Sequence, residues 1–336
     1  MDDTGGIAAL APDALGAYLV RRGVVEAGTP VSAVPLGGGV SNVVLAARFR
    51  GRAVVVKQSL PRLRVADEWL AKRERVLTEA AALRLMAALT PGRVPDVLDV
   101  DGETFTIVIA HAADGWWDWK ARLLAGDADP AVARELGRVL GAWHRATWDD
   151  AGVARRFGDL EAFEQLRVDP YYRTLARRCP NLAGAVASRI ARMEGSRRCL
   201  VHGDFSPKNV LLGPVREDGL WVVDAEVAHF GDPAFDSGFM LNHLMLKALH
   251  RPADRDRHRA CALAFWDAYR GSGAGPDDTL GHLACLMLSR VHGKSPAEYL
   301  DQRGRERASG LGRSLLLRPP GSLDDAWDRL EQEVRR

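Results

Sequence analysis

The segment His202-Gly203-Asp204-Phe205-Ser206-Pro207-Lys208-Asn209 is followed, fifteen positions after Asn209, by Asp224 in Val222-Val223-Asp224-Ala225-Glu226. No other feature of this 336-residue chain restricts its fold as strongly. Apolar runs at 210–212 and 220–223 lie between the two pieces and read as strands, which places the acids and the amide on loops at strand ends. An Asp five residues ahead of an Asn, with a second Asp closing a later strand, supplies what phosphoryl transfer asks of one part of its site. One carboxylate accepts a hydroxyl proton, and an amide with a second carboxylate holds Mg2+ across nucleotide phosphates. Each fragment alone has a plainer reading: H-G-D as a turn closed by an Asx hydrogen bond, and Asp224 as an ordinary strand end. Both together, at this spacing, favour the chemical reading.

The amino-terminal part carries a matching set. Val31–Gln58 reads as an antiparallel meander, interrupted by Gly37-Gly38-Gly39-Val40-Ser41-Asn42 and by a Gly51-Arg52 turn. A loop without Cβ atoms lets backbone N–H groups approach phosphates, so Gly37, Gly38, Gly39, Ser41 and Asn42 are candidate nucleotide contacts, although for such a string taken alone a plain hairpin turn is the commoner explanation. Fifteen residues after Asn42, Lys57 follows three valines on the third strand, where it is placed to reach the α- and β-phosphates. The helix expected over 73–88 offers Glu79, or alternatively Glu74, as the acid that fixes Lys57, and Pro91-Gly92 ends that helix. Strands over 97–100 and 104–109 complete a mixed first lobe.

Length and a hydrophobic content of 47% allow two lobes with a substantial core. Lys plus Arg, 46, nearly balance Asp plus Glu, 44, which gives no electrostatic case for nucleic acid or an anionic membrane as partner. Cys179, Cys199, Cys261 and Cys285 are scattered without C-x-x-C pairing and the first residues are acidic, as expected of inert thiols in a reducing cytoplasm and of a chain without a signal peptide. No apolar stretch is long enough to span a bilayer.

Beyond His111 the pattern turns helical, with expected helices over 131–146, 234–249, 260–271, 280–292 and 324–334. His144 and His243 fall on apolar faces and read as core histidines. Trp116, Trp117 and Trp119 read as packing anchors near the start of a helix, with Asp114 and Asp118 as plain acids beside them.

With these pieces in order, the chain resembles the family of aminoglycoside phosphotransferases, choline kinases and methylthioribose kinases. The resemblance runs from about Val31 to Leu300 and is carried by Lys57, by H-G-D-F-S-P-K-N, by Val223-Asp224-Ala225-Glu226 and by Gly231-Asp232-Pro233-Ala234-Phe235-Asp236. It implies an α+β, bilobal, protein-kinase-like fold: a nucleotide-binding lobe over 1–110, with a small antiparallel sheet and one long helix, and a mostly helical catalytic and substrate lobe over 111–336. It implies ATP and Mg2+ as cofactors, Asp204 as catalytic base, Asn209 and Asp224 as metal ligands, and Lys57 on the phosphates. Ile109 and Ala110 fall at the expected hinge beside the adenine, and His202 and Asp236 become structural supports of the catalytic loop. Glu226, two residues after Asp224 on a segment read as extended, faces the same way and becomes a candidate for metal or substrate.

Only eight residues separate Asp224 from Pro233, which leaves no activation segment for docking a peptide, so the acceptor is expected to be a small-molecule hydroxyl. Lys57-Gln58-Ser59-Leu60-Pro61 with Arg64 and Trp69, together with Val168-Asp169-Pro170-Tyr171-Tyr172, are similar to methylthioribose kinases in particular. Asn209 stands where those kinases often have Ser, and their paired arginines are here Ser289-Arg290. The expected function is transfer of the ATP γ-phosphate to a sugar-like metabolite by a monomer or homodimer. An antibiotic O-phosphotransferase and a nucleotide-binding pseudokinase are the alternatives.

Overall fold

A computed structural model describes residues 9–37, 42–61, 71–214, 219–273 and 278–335. Gly38, Gly39 and Ser41, with Arg64 and Trp69, lie outside the described residues. The chain divides into two compact units, Met1–Asp114 and Gly115–Arg336.

The first unit is built on a five-stranded antiparallel sheet. Its strands are β1 (Ser32–Pro35), β2 (Asn42–Phe49), β3 (Arg52–Ser59), β4 (Val97–Asp101) and β5 (Thr106–Ala110), in spatial order β1-β2-β3-β5-β4. Side chains alternate across a pleated strand. Val54 and Val56 of β3 therefore join Val43, Leu45 and Val108 in one core, which Leu15, Tyr18 and Leu19 of α1 (Leu15–Arg21) cover. Lys57, one residue on, points to the opposite face, toward α2 (Arg75–Leu89). The strand expected from Thr104 begins two residues later, because Asp101 closes an Asx turn: its Oδ1 accepts from the N–H groups of Glu103 and Thr104, at 3.1 and 3.2 Å.

The second unit opens with a two-residue strand β6 (Trp117–Asp118), α3 (Trp119–Leu124), α4 (Pro130–Ala146), α5 (Ala151–Arg156) and α6 (Glu161–Phe163). A ten-residue π-helix, Glu164–Arg173, follows and runs into α7 (Thr174–Arg178) and α8 (Ala183–Gly195). Two small sheets come next, β7 (Cys199–Val201) paired with β10 (His229–Gly231), and β6-β8-β9 with β8 (Val210–Leu212) and β9 (Leu220–Val222). The chain ends in α9 (Pro233–His250), α10 (Arg255–Gly271), α11 (Thr279–His292), α12 (Gln302–Leu317) and α13 (Leu323–Arg335). Every residue of α9 from Pro233 to Leu249 is buried, as befits a helix apolar on nearly all sides. Gly137 lets α4 approach α10 closely, since a Cβ there would sit 2.3 Å from the Phe265 carbonyl oxygen.

Three tryptophans read alike in the sequence part company here. Trp119 is buried on α3, Trp116 is half-buried against Trp221 with ring centroids 5.2 Å apart, and Trp117 is 59% exposed. Trp117 fails as a packing anchor because β6 is an edge strand of two residues and turns that ring outward. Asp118 caps α3, accepting from Ala121 N–H at 2.8 Å. All four cysteines are buried and free. Among the described residues no helix is long and apolar enough to cross a membrane.

Candidate active site

In the first unit, Lys57 Nζ donates to Glu79 Oε1 at 2.7 Å, with both side chains almost wholly buried. Glu79, and not Glu74, is thus the acid that fixes the lysine. Desolvating two charges is tolerated only when they meet, and the pair is held by pairing of β3 on both sides and by the packing of α2. Asn42, at the edge of the Gly-rich loop, is buried, and its side-chain oxygen accepts from Ser59 Oγ at 3.2 Å and Arg75 Nη2 at 3.4 Å. Gly37 has open space where a Cβ would stand. Ile109 and Ala110 lie at the end of β5, and Ala110 N–H is engaged by the Asp96 carbonyl at 2.9 Å.

In the second unit, the H-G-D turn is braced from below. Asp236, in the first turn of α9, accepts from the backbone N–H of His202 at 2.7 Å and of Gly203 at 2.9 Å. His144 Nε2 reaches the same carboxylate at 3.4 Å, and its Nδ1 meets the Tyr269 hydroxyl at 2.8 Å. Burial pushes the Asp236 carboxyl up, but the hydrogen bonds from the His144 ring and the His202 N–H outweigh it and hold the group below its ordinary value. Gly203 is obligatory at its place: its φ is +77°, and a Cβ would sit 2.7 Å from the Val227 carbonyl oxygen. His202 is buried and its Nδ1 accepts from Asp204 N–H at 3.2 Å; burial lowers its pKa, so the imidazole is neutral and serves the backbone.

Asp204 is buried, and its side-chain contacts gather on one oxygen. Oδ2 accepts from Arg167 Nη2 at 2.9 Å, Lys208 Nζ at 2.8 Å and Asn209 Nδ2 at 2.8 Å. None of these three contacts falls on Oδ1. The sequence did not reveal Arg167. It lies in the π-helix, 37 residues before its partner, and its Nε also donates to the Gly203 carbonyl at 2.8 Å. A π-helical stretch rotates side chains out of the α-helical register, and Pro170 inside it lacks the N–H that an α-helix would bond. The one local signal was an Arg between two apolar residues, Leu166 and Val168. Burial lowers the pKa of Arg167, yet the charges of Asp204, Glu226 and Asp224 raise it above its usual value, so the guanidinium is surrounded by acids. Replacing Arg167 by Met is expected to lower kcat about 10–10²-fold with little change in the KM for ATP, because a base misplaced by an ångström loses that much. Steady-state kinetics check it, with partial recovery in Arg167→Lys.

Asn209 donates its Nδ2 to Asp204, which leaves its Oδ1 as a hard oxygen donor, and its own carbonyl accepts from Val223 N–H at 2.9 Å. That backbone bond ties the Asp224 segment to the loop that carries Asp204 and Asn209. Asp224 has φ +70°, an uncommon conformation for a side-chain-bearing residue that costs about 1–2 kcal/mol. The segment is therefore not the extended strand expected from the sequence: β9 stops at Val222, and Glu226 lies buried in a turn. Glu226 meets the field of Arg167 through that turn and not through strand alternation. Asn209 and Asp224 together offer an amide and a carboxylate oxygen, a donor set that suits Mg2+ completed by phosphate oxygens.

A model of the phosphotransferase enzyme family matches residues 32–274. The chain belongs to that family. Among its relatives, methylthioribose kinase 1 of Oryza sativa subsp. japonica is 27% identical over 250 residues, covering 66% of this chain and 57% of the rice protein. The chain thus spans little more than half the length of that relative. Methylthioribose kinase of Geobacillus sp. (strain WCH70) is 23% identical over 361 residues, covering 89% of each chain. An aminoglycoside phosphotransferase from Alicyclobacillus acidocaldarius subsp. acidocaldarius DSM 446 superposes with a TM-score of 0.53 at 14% identity, over 99% of this chain and 98% of that one. The family fold is the kinase-like α+β fold, with its antiparallel sheet first and its helices after.

Proposed function

We propose that this phosphotransferase-family protein is an ATP-dependent small-molecule kinase that phosphorylates a hydroxyl of a sugar-like metabolite. The observation that carries the reading is the arrangement of Asp204, with three donors on Oδ2 and Oδ1 left for the acceptor. Lys57, fixed by Glu79, takes the nucleotide phosphates; the assignment of nucleotide binding to 1–110 and of catalysis to 111–336 belongs to this proposal. Mg2+, when bound, neutralises phosphate charge, and Asn209 and Asp224 would hold it, with Glu226 next in line.

The acceptor hydroxyl attacks the γ-phosphorus in line. Its oxygen–phosphorus bond forms as the bond to the bridging β,γ-oxygen breaks, ADP leaves, and the hydroxyl proton passes to Asp204. Because charge neutralisation and positioning dominate such transfers, the buried frame of His202, Gly203 and Asp236 matters as much as the base itself. The methylthioribose kinase relatives favour a pentose-like acceptor over an antibiotic. A pseudokinase would have lost the base, the metal ligands or the lysine, and this chain keeps all of them. The protein is taken to act in the cytoplasm, as a monomer or homodimer.

A coupled ADP-release assay with Mg·ATP tests the reading across methylthioribose, other pentoses and hexoses, sugar acids, choline and aminoglycosides. ADP release that depends on a sugar-like acceptor is the expected result. Release with aminoglycosides alone would transfer the reading to antibiotic modification, and bound nucleotide without release from any acceptor would favour the pseudokinase.

A further inference from the structure

Three basic side chains gather around Tyr299 and Glu298 in the second unit from elements far apart in sequence: Lys120 at the start of α3, Lys247 on α9 and Arg290 on α11. Burial, followed by the charges of Lys247, Arg290, Lys208 and Lys120, holds the imidazole of His243 well below its ordinary pKa, so His243 is neutral. Lys247 and Arg290 are buried while Lys120 stands at the rim with 31% of its side chain exposed, and like charges brought together with two of them out of water are unfavourable unless an anion joins them.

Lys247 is completely buried, and among the described residues its ammonium meets the His243 carbonyl at 3.5 Å and the ring of Tyr299, 5.3 Å from the centroid. Lys120 lies 6.0 Å from the same ring. Burial, with Arg290 and Lys120, brings the Lys247 pKa down to about 7. Arg290 is 8% exposed, and both its Nε and the Tyr299 hydroxyl are buried without a hydrogen-bond partner. Orphaned donors of this kind are uncommon inside proteins and call for a partner, such as a water, an ion or a ligand oxygen.

One carboxylate already shows what fits. Glu298, whose side chain is 63% exposed, reaches in to pair one oxygen with Lys120 and the other with Arg290 Nη2 at 3.9 Å. Burial would raise its carboxyl, but Lys120 and Arg290 hold it below the ordinary value. Tyr171 connects this cluster to the base: its ring lies 5.9 Å from the Arg167 guanidinium, which pairs with Asp204 at 2.9 Å, and its carbonyl accepts from the hydroxyl of Ser289, the neighbour of Arg290, at 2.9 Å.

We propose that the phosphate acceptor is a hydroxy acid, its carboxylate seated by Lys120 and Arg290 in place of Glu298 and its hydroxyl presented to Asp204. The inference rests on the kinase reading above and narrows its substrate class to a sugar acid or a similar polyhydroxy carboxylate. Lys247 adds a further positive centre behind Tyr299. The same charges repel polycationic aminoglycosides and choline.

The test compares kcat/KM for D-ribonate with D-ribose, ribose 5-phosphate, methylthioribose, choline and an aminoglycoside, alongside calorimetric binding of ribonate without nucleotide. Ribonate is expected to exceed ribose at least tenfold. Lys120→Ala and Lys247→Met should each shrink that ratio severalfold or more, and Glu298→Gln, which removes the competing acid, should lower the KM for ribonate. Lys120 sits at the surface and Lys247→Met removes a buried charge while keeping the stem, so both variants are expected to fold. Ribonate binding with no turnover of any acceptor keeps the acid site and counts against the kinase reading. Turnover of neutral or cationic acceptors in preference to ribonate, a preference for ribose 5-phosphate, or no ribonate binding at all overturns the acid site.

Discussion

Asp204→Asn is expected to lower kcat by about 10²–10⁴-fold while leaving the affinity for Mg·ATP within a few-fold. The amide keeps the shape of the carboxylate and one oxygen to accept from Arg167 and Lys208, which now act on Oδ2 at 2.9 and 2.8 Å. What it loses is the capacity to accept the acceptor's proton. Nucleotide titration and steady-state kinetics on the same preparation separate the two effects. Loss of nucleotide affinity in parallel with turnover would make Asp204 a structural anchor instead of a base.

Asp236→Ala is expected to destabilise the protein by about 3–5 kcal/mol, the range for removing one partner from a buried charged network. The N–H groups of His202 and Gly203 and the ring of His144 would all lose their acceptor in a site from which water is excluded. Urea unfolding with circular dichroism measures the difference. Its pH dependence has a definite sign. The folded-state pKa of Asp236 is depressed, so its contribution is present above the carboxyl's unfolded value and fades as pH falls through the folded one. The gap between wild type and Asp236→Asn should therefore narrow toward acid pH. A gap that holds constant, or one below about 1 kcal/mol, would mean that the catalytic turn is braced by other contacts.

The parts of the site legible in the sequence are those encoded locally. Asp204, Asn209 and Asp224 are close in the chain, and the spacing of Lys57 and Glu79 is set by one strand and the next helix, so pattern and pairing agree. The sheet was readable for the same reason: β2 and β3 join through a tight turn, and their alternation separates Val56 from Lys57. Arg167 was hidden because a π-helix has no simple hydrophobic period and because its partner lies 37 residues on. The conformation of Asp224 escaped as well, since a left-handed φ at an Asp after two valines has no sequence mark beyond the Asp itself. Trp117 looked like its neighbours Trp116 and Trp119, but a two-residue edge strand decided its exposure. The basic cluster of Lys120, Lys247 and Arg290 comes from three separate elements and shows itself only when those elements pack.

Transfer at Asp204 is tested most directly by phosphorus NMR of a single turnover with Mg·ATP and whichever acceptor gives the fastest ADP release. A new phosphomonoester signal that matches ADP one for one, and that is absent with Asp204→Asn, is the predicted result. ADP with inorganic phosphate and no ester, or an ester that forms undiminished in the variant, would contradict it.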